Sequence, residues 1–182
     1  MDLLAGIPSV VFGLVGLVII VPFIRYHFGG PGYSVAAGII VLTVMILPTI
    51  ISISEDSIRA VPKSYREGAL ALGATQWQTI WRVLLPAARS GIMASVVLGM
   101  GRAIGEAMAM LMVLGNSPVI PKSLLSPAST LAGAIAADAS EAPGVQRSAL
   151  FAISVVLFLL IIIITGTALV ILRRGSRAQS VC

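Results

Sequence analysis

Four stretches of the chain, Leu3 to Ile24, Val35 to Ser54, Gly91 to Leu114 and Ala149 to Leu172, are apolar almost without interruption. Each supplies the ~20 residues a helix needs to cross ~30 Å of hydrocarbon. Hydrocarbon offers the backbone no hydrogen-bond partners, so even a β-branched run such as Ile161 to Ile164 is predicted to be helical rather than extended. Pro8, Pro22 and Pro48 fall within or near the ends of the first two spans, which are therefore predicted to bend. The first run is too long for a cleaved leader, follows Asp2 and has no basic residues ahead of it, so it is read as a mature span.

Composition supports lipid as the solvent. Of 182 residues, 58% are hydrophobic and 10% charged, with a mean hydropathy of +1.04, more apolar surface than one soluble core can bury. The charges then orient the spans. Arg59, Lys63, Arg66, Arg82 and Arg89 lie between the second and third runs, and Arg173, Arg174 and Arg177 follow the fourth. Only Arg25, Lys122 and Arg147 fall on the other side. The positive-inside rule places both termini and the 55–90 segment in the cytoplasm. Topology thus accounts for the net charge of +5, and without a basic stripe interleaved with aromatics no nucleic-acid partner is expected. His27 and Cys182 are each the only residue of their kind, so no histidine cluster for a metal and no intrachain disulfide can form, and no cofactor is expected.

The loop from Gly115 to Gln146 opens on Asn116, Ser117 and Pro118 and becomes alanine-rich from Thr130 to Ala142, which predicts a short surface or re-entrant helix. Asp138 and Glu141 are three residues apart on it, a spacing that describes a solvated face better than a pore mouth. The cytoplasmic segment Lys63 to Pro86 is more structured. Ser64 with Glu67, and Thr75 with Gln78, both have the spacing of a capping box, and Gly73 lies between them. The predicted order is helix, Gly73 turn, helix. In the second helix Trp77, Ile80, Trp81 and Leu84 form one apolar stripe, suited either to docking on a protein or to lying at the bilayer surface.

The residues Glu67, Gly68, Ala69, Gly73, Val83, Leu85 and Pro86 carry a resemblance. Their order and spacing are similar to the EAA loop of binding-protein-dependent ABC importer permeases, with Gly68 in place of the second-position alanine and Val83 in place of the isoleucine. The resemblance implies that this segment docks into a cytoplasmic ATPase, with Glu67 near its surface and Gly73 setting the angle between the helices.

The third span carries Arg102 and Glu106 near its centre. A charge there costs roughly 2.5–3.5 kcal/mol even on the lenient insertion scale, so the two are expected to face protein or water. Their i, i+4 spacing predicts one helical face and mutual neutralisation. Gly101 and Gly105 form a G-x-x-x-G that lets other helices approach closely. The pair either ties the span to a neighbouring helix or offers a fixed guanidinium, with Glu106 orienting it, to an oxyanion crossing the membrane. An intramembrane enzyme is not indicated, since the pair supplies no nucleophile with an adjacent base.

The surrounding run, GMGRAIGEAMAMLMVLGN, together with LLAGIPSVVF at Leu3 to Phe12, is similar to the phosphate importer permeases, of the PstC type rather than the PstA type. Ala107 stands where those permeases usually have a threonine. The resemblance covers nearly the whole chain. It implies an all-α, polytopic transmembrane helical bundle of the ABC importer type I, MetI-like, permease class with about four spans, in a bacterial inner membrane. It also implies a PstA-like permease subunit, a cytoplasmic ABC ATPase dimer and a periplasmic phosphate-binding protein as partners. Lys63 and Lys122 both follow proline, so no GK[ST] phosphate-binding loop exists and ATP hydrolysis is assigned to a separate chain. Rival readings are an importer for sulfate or molybdate and a membrane scaffold that moves no substrate. The family's additional N-terminal spans do not precede LLAGIPS here, so the chain reads as the C-terminal portion of a larger permease.

Overall fold

The structure is a computed structural model that describes the backbone of residues 7–139 and 142–177 and side chains as far as Val170. Among the described residues the regular structure is helical, and four helices are long and apolar enough to cross a membrane. These are α1, Ser9–Phe28; α2, Val35–Arg59; α4, Gln76–Ile104; and α7, Gly144–Val170 and onward to Arg177. Three shorter helices join them: α3, Lys63–Ala71; α5, Met108–Val113; and α6, Leu131–Asp138. The start of the first predicted span, at Leu3, lies outside the described residues, as does Glu141.

The prolines are accommodated in three ways. Pro8 caps the start of α1 and bends nothing. Pro22 and Pro86 each follow a single wide π turn, over Gly16–Ile20 and Ile80–Leu84, in which the N–H of the residue before proline donates five residues back, Val21 to Gly16 and Leu85 to Ile80. A proline ring clashes with the carbonyl four residues earlier, and widening the turn relieves that crowding without ending the helix. Pro48 lies inside α2.

Packing concentrates at the end of the bundle that carries the 115–130 loop. Val21 and Ile24 of α1, Ala37 and Val41 of α2, and Ala109, Met110 and Val113 of α5 are buried together there with Leu114 and Ala128. Gly16 allows this convergence, since a Cβ built on it lies 2.5 Å from Val41 Cγ2 and 2.8 Å from Val113 Cγ1. The loop also completes the start of α2. Val35 N–H donates to Ser126 O at 3.1 Å, Ala36 N–H to Leu124 O at 2.8 Å and Ala37 N–H to the Ser34 hydroxyl at 3.2 Å, so the first amides of the helix all have acceptors.

The most extensive seam in the molecule runs between α2 and α4. Small residues of α4 face α2 along it: Gly91 against Ser57, Ser95 against Ser54, and Gly99 against Ile46 and Ile50. The Ser54 and Ser95 hydroxyls are 2.8 Å apart and Ser95 is fully buried. Helix α7 packs along α4 and α6, yet only 6% of its most apolar window is buried.

Candidate functional site

Two places hold the residues singled out in the sequence, and α4 connects them. The first is the segment 63–86. Helix α3 ends in a full Schellman motif: Gly73, at φ +83°, donates to Leu70 O at 3.0 Å, and Ala74 N–H donates to Ala69 O at 3.1 Å. Only a residue tolerant of the left-handed region fits this turn, which is why glycine stands there. Thr75 and Gln78 then form the expected capping box, with Gln78 N–H donating to Thr75 Oγ1 at 3.2 Å and Thr75 N–H to Gln78 Oε1 at 2.9 Å.

Three features differ from the sequence expectation. Ser64 and Glu67 form no capping box: α3 begins at Lys63 with Pro62 as its N-cap, so Ser64 is already inside the helix and its hydroxyl is not at the cap position the box requires. The helix after Gly73 is not a separate cytoplasmic element. It continues through Pro86 as the body of the third span, because the π turn carries the helix past the proline. The predicted boundary at Gly91 therefore falls in mid-helix, since the apolar run marks where lipid begins and not where the helix does.

The stripe on this helix is open. Trp77 and Trp81 are 68% and 57% exposed and pack edge-to-face on one another, with centroids 5.8 Å apart. Glu67, Gly68, Gly73 and Pro86 are exposed, while Ala69 and Leu85 are half-buried. Between Gly73 and Leu85 of the signature the chain thus presents two adjacent aromatic rings that no other part of the described chain covers.

The second place is the end of α4. Arg102 is half-buried, and its Nη1 donates to Thr49 Oγ1 across the seam at 3.0 Å. Thr49 lies in the middle of α2, directly after Pro48, so the guanidinium sits at mid-span depth in that helix. Glu106 is elsewhere. Helix α4 ends at Ile104 with Gly105 N–H and Glu106 N–H folding back to Gly101 O and Ala103 O, both at 3.3 Å, and a new helix starts at Met108. The Glu106 carboxylate accepts from Ala109 N–H at 3.1 Å, serving one of the free amides at the start of α5.

The predicted shared face and mutual neutralisation of Arg102 and Glu106 are therefore corrected: i, i+4 spacing places two groups together only on an unbroken helix, and this one is broken between them. The ion pair found among the described residues is Arg59 with Glu55, on the surface one turn apart. The G-x-x-x-G expectation divides as well. A Cβ on Gly101 is 3.2 Å from Thr165 Cγ2 of α7, so that glycine admits a neighbouring helix, whereas one on Gly105 meets only its own preceding turn at 3.7 Å. Thr49 and the Ser54–Ser95 contact were not singled out from the sequence. The available signal was a hydroxyl residue directly after a mid-span proline.

Asp138 ends α6 on an exposed surface, as a solvated face requires. Among the described residues no group of three or more His, Cys, Asp or Glu side chains is placed to hold a metal.

Residues 1–177 match the family model described as binding-protein-dependent transport system inner membrane component. The chain is 58% identical over 131 residues to the Probable ABC transporter permease protein YqgH of Bacillus subtilis, which covers 71% of this chain and 42% of that protein. It is 38% identical over 193 residues to the phosphate transport system permease protein PstC of Haemophilus influenzae, covering 94% of this chain and 60% of that protein. Against the PstC of Pasteurella multocida it is 34% identical over 199 residues, covering 98% and 62%. The chain thus spans between 42% and 62% of the length of these relatives. No solved structure matches it. With the family model matching residues 1–177 and four helices long and apolar enough to cross a membrane among its described residues, the chain belongs to the family of binding-protein-dependent transport system inner membrane components.

Proposed function

We propose that this chain supplies an anion path and an ATPase-docking segment to a bacterial importer of inorganic phosphate. The observation that carries the reading is Arg102, a half-buried guanidinium at mid-span whose hydrogen bond goes to a neutral hydroxyl and not to a carboxylate. A permanently charged, five-donor group kept at that cost suits a tetrahedral oxyanion. The names of the PstC relatives support phosphate as that oxyanion.

In this reading Glu67, Gly68, Ala69, Gly73, Leu85 and Pro86 frame the docking surface, and Trp77 and Trp81 are its apolar contact with the ATPase. Helix α4 runs without a break from Gln76 to Ile104. At 1.5 Å per residue it connects that surface to Arg102 over about 40 Å, so closure of an ATPase dimer moves the arginine directly. The Gly105–Ala107 break, with Glu106 capping α5, lets the far end of the span keep its packing while α4 tilts. The further partners are a PstA-like permease subunit and an external phosphate-binding protein, and both termini face the cytoplasm.

The test is uptake of labelled phosphate into vesicles holding the whole transporter with Arg102→Ala or Arg102→Lys. Uptake falls at least tenfold in both, since a half-buried charged donor to an anion is lost or loses its fork geometry. Variants that insert normally and transport at the parental rate overturn the reading. Competition by unlabelled sulfate or molybdate at phosphate-like concentrations moves the substrate from phosphate to those anions, and ATPase binding without uptake of any of them supports a scaffold instead.

A further inference from the structure

Hydroxyl side chains inside the spans mostly bond to their own helix. Thr43 donates to Ile39 O at 2.7 Å, Ser57 to Ile53 O at 2.7 Å, Ser154 to Leu150 O at 2.8 Å, Thr165 to Ile161 O at 2.6 Å and Thr167 to Ile163 O at 2.6 Å. Each uses its single proton on the carbonyl one turn back, the usual solution for a hydroxyl in an apolar helix. Thr49 differs. The hydrogen bond described for its oxygen is the one it accepts from Arg102, and no donation to its own helix accompanies it among the described residues. A hydroxyl has one proton and two acceptor lone pairs, so accepting from the guanidinium leaves its proton unspent.

The arginine is in a complementary state. One of its five N–H groups is described as bonded, to Thr49. Every buried side-chain nitrogen and oxygen among the described residues has a partner, so the remaining guanidinium donors open onto accessible surface. Glu106, the nearest acid in sequence, is occupied at Ala109 N–H. Two side chains from different spans thus meet at 3.0 Å with unused donors on both.

We propose that Thr49 is part of the anion site, where it fixes the Arg102 guanidinium against α2 and turns its own hydroxyl proton to the tetrahedral oxyanion that the arginine attracts. The proposal rests on the phosphate-path reading above. The two donors come from α2 and α4, so the site is complete only while the seam between these helices is closed. A change in the seam alters the hold on the anion without any change in the residues themselves.

The experiment uses the whole transporter in vesicles with inorganic phosphate as the probe, and compares Thr49→Val, Thr49→Ser, Arg102→Ala and the Thr49→Val/Arg102→Ala pair, each at matched membrane abundance. Thr49→Val, which keeps the shape and removes the hydroxyl, lowers uptake about tenfold, the worth of one hydrogen bond to a charged group. Thr49→Ser restores most of it, and on the Arg102→Ala background Thr49→Val adds less than twofold because the two act as one unit. Thr49→Ala serves as the second hydroxyl-free variant if the valine disturbs assembly. Parental uptake in the hydroxyl-free variants, or a serine variant as impaired as the valine one, overturns the proposal. If Arg102→Ala itself is impaired in that experiment, the phosphate-path reading survives and only the role of Thr49 is lost; if Arg102→Ala is parental, both fall.

Discussion

The α2–α4 seam and helix α7 are both apolar in sequence and opposite in the folded chain. Along the seam, glycines and serines of α4 are pressed against Ser57, Ser54, Ile50 and Ile46, one hydroxyl pair is closed at 2.8 Å, and Arg102 reaches across to Thr49. Helix α7 has the highest mean hydropathy of the four spans, 3.0, and the least burial, 6% against 22% for each of the others. Its Phe151, Val155, Phe158 and Ile162 are all about half exposed or more. Hydropathy therefore reports which solvent a helix tolerates, whereas packing follows the small and hydroxyl residues. In hydrocarbon an exposed leucine costs nothing, so apolar character by itself draws no two helices together.

The comparison is most strongly tested by a charge on the bare helix. Ile162→Arg places a guanidinium at the lipid-facing centre of α7 and costs insertion about 2.5–3.5 kcal/mol, visible in a glycosylation-tag assay as a large loss of the spanning form. Normal insertion indicates that the face is covered by protein or water. A smaller effect is expected from filling the seam. A Cβ on Gly99 lies 2.8 Å from the Ile50 side chain and 2.9 Å from Ile46, so Gly99→Val overpacks and destabilises by about 1–3 kcal/mol in thermal unfolding of the detergent-solubilised protein. The same change at Gly166 of α7, where a Cβ meets nothing, leaves the transition in place. The smallest difference is between two serines. Ser95→Ala removes the contact with Ser54 and costs about 0.6 kcal/mol, the average for interhelical hydrogen bonds in membranes. Ser154→Ala removes only a bond to its own helix at Leu150, and a stability loss equal to that of Ser95→Ala erases the contrast.

Much of the fold was legible in advance. The four apolar runs locate the four long helices, Gly73 and the Thr75–Gln78 box locate a turn and a helix start, and the EAA-like residues locate the family. The errors share a cause. Ser64–Glu67 has the spacing of a cap, Gly91 opens an apolar run and Arg102–Glu106 has the spacing of a pair, each by local spacing on an unbroken helix frame. Local spacing carries no information on where the frame begins or breaks. Pro62 sets the start of α3 ahead of Ser64, the π turn before Pro86 joins two predicted helices into one, and the break after Ile104 separates the two charges.

What the sequence by itself determined is the solvent, the number of spans, the residue types at the two candidate places and the family, because apolar run length, turn-forming glycine and motif order are properties of the chain alone. The partners of those residues were decided by tertiary structure. Arg102 meets Thr49 because the small residues of α4 let α2 come close, 53 residues away in sequence, and Glu106 turns to Ala109 because the helix ends before it. A guanidinium takes whichever acceptor the packed helices bring within 3 Å, and that distance is set by the seam between two spans rather than by the order of residues in either.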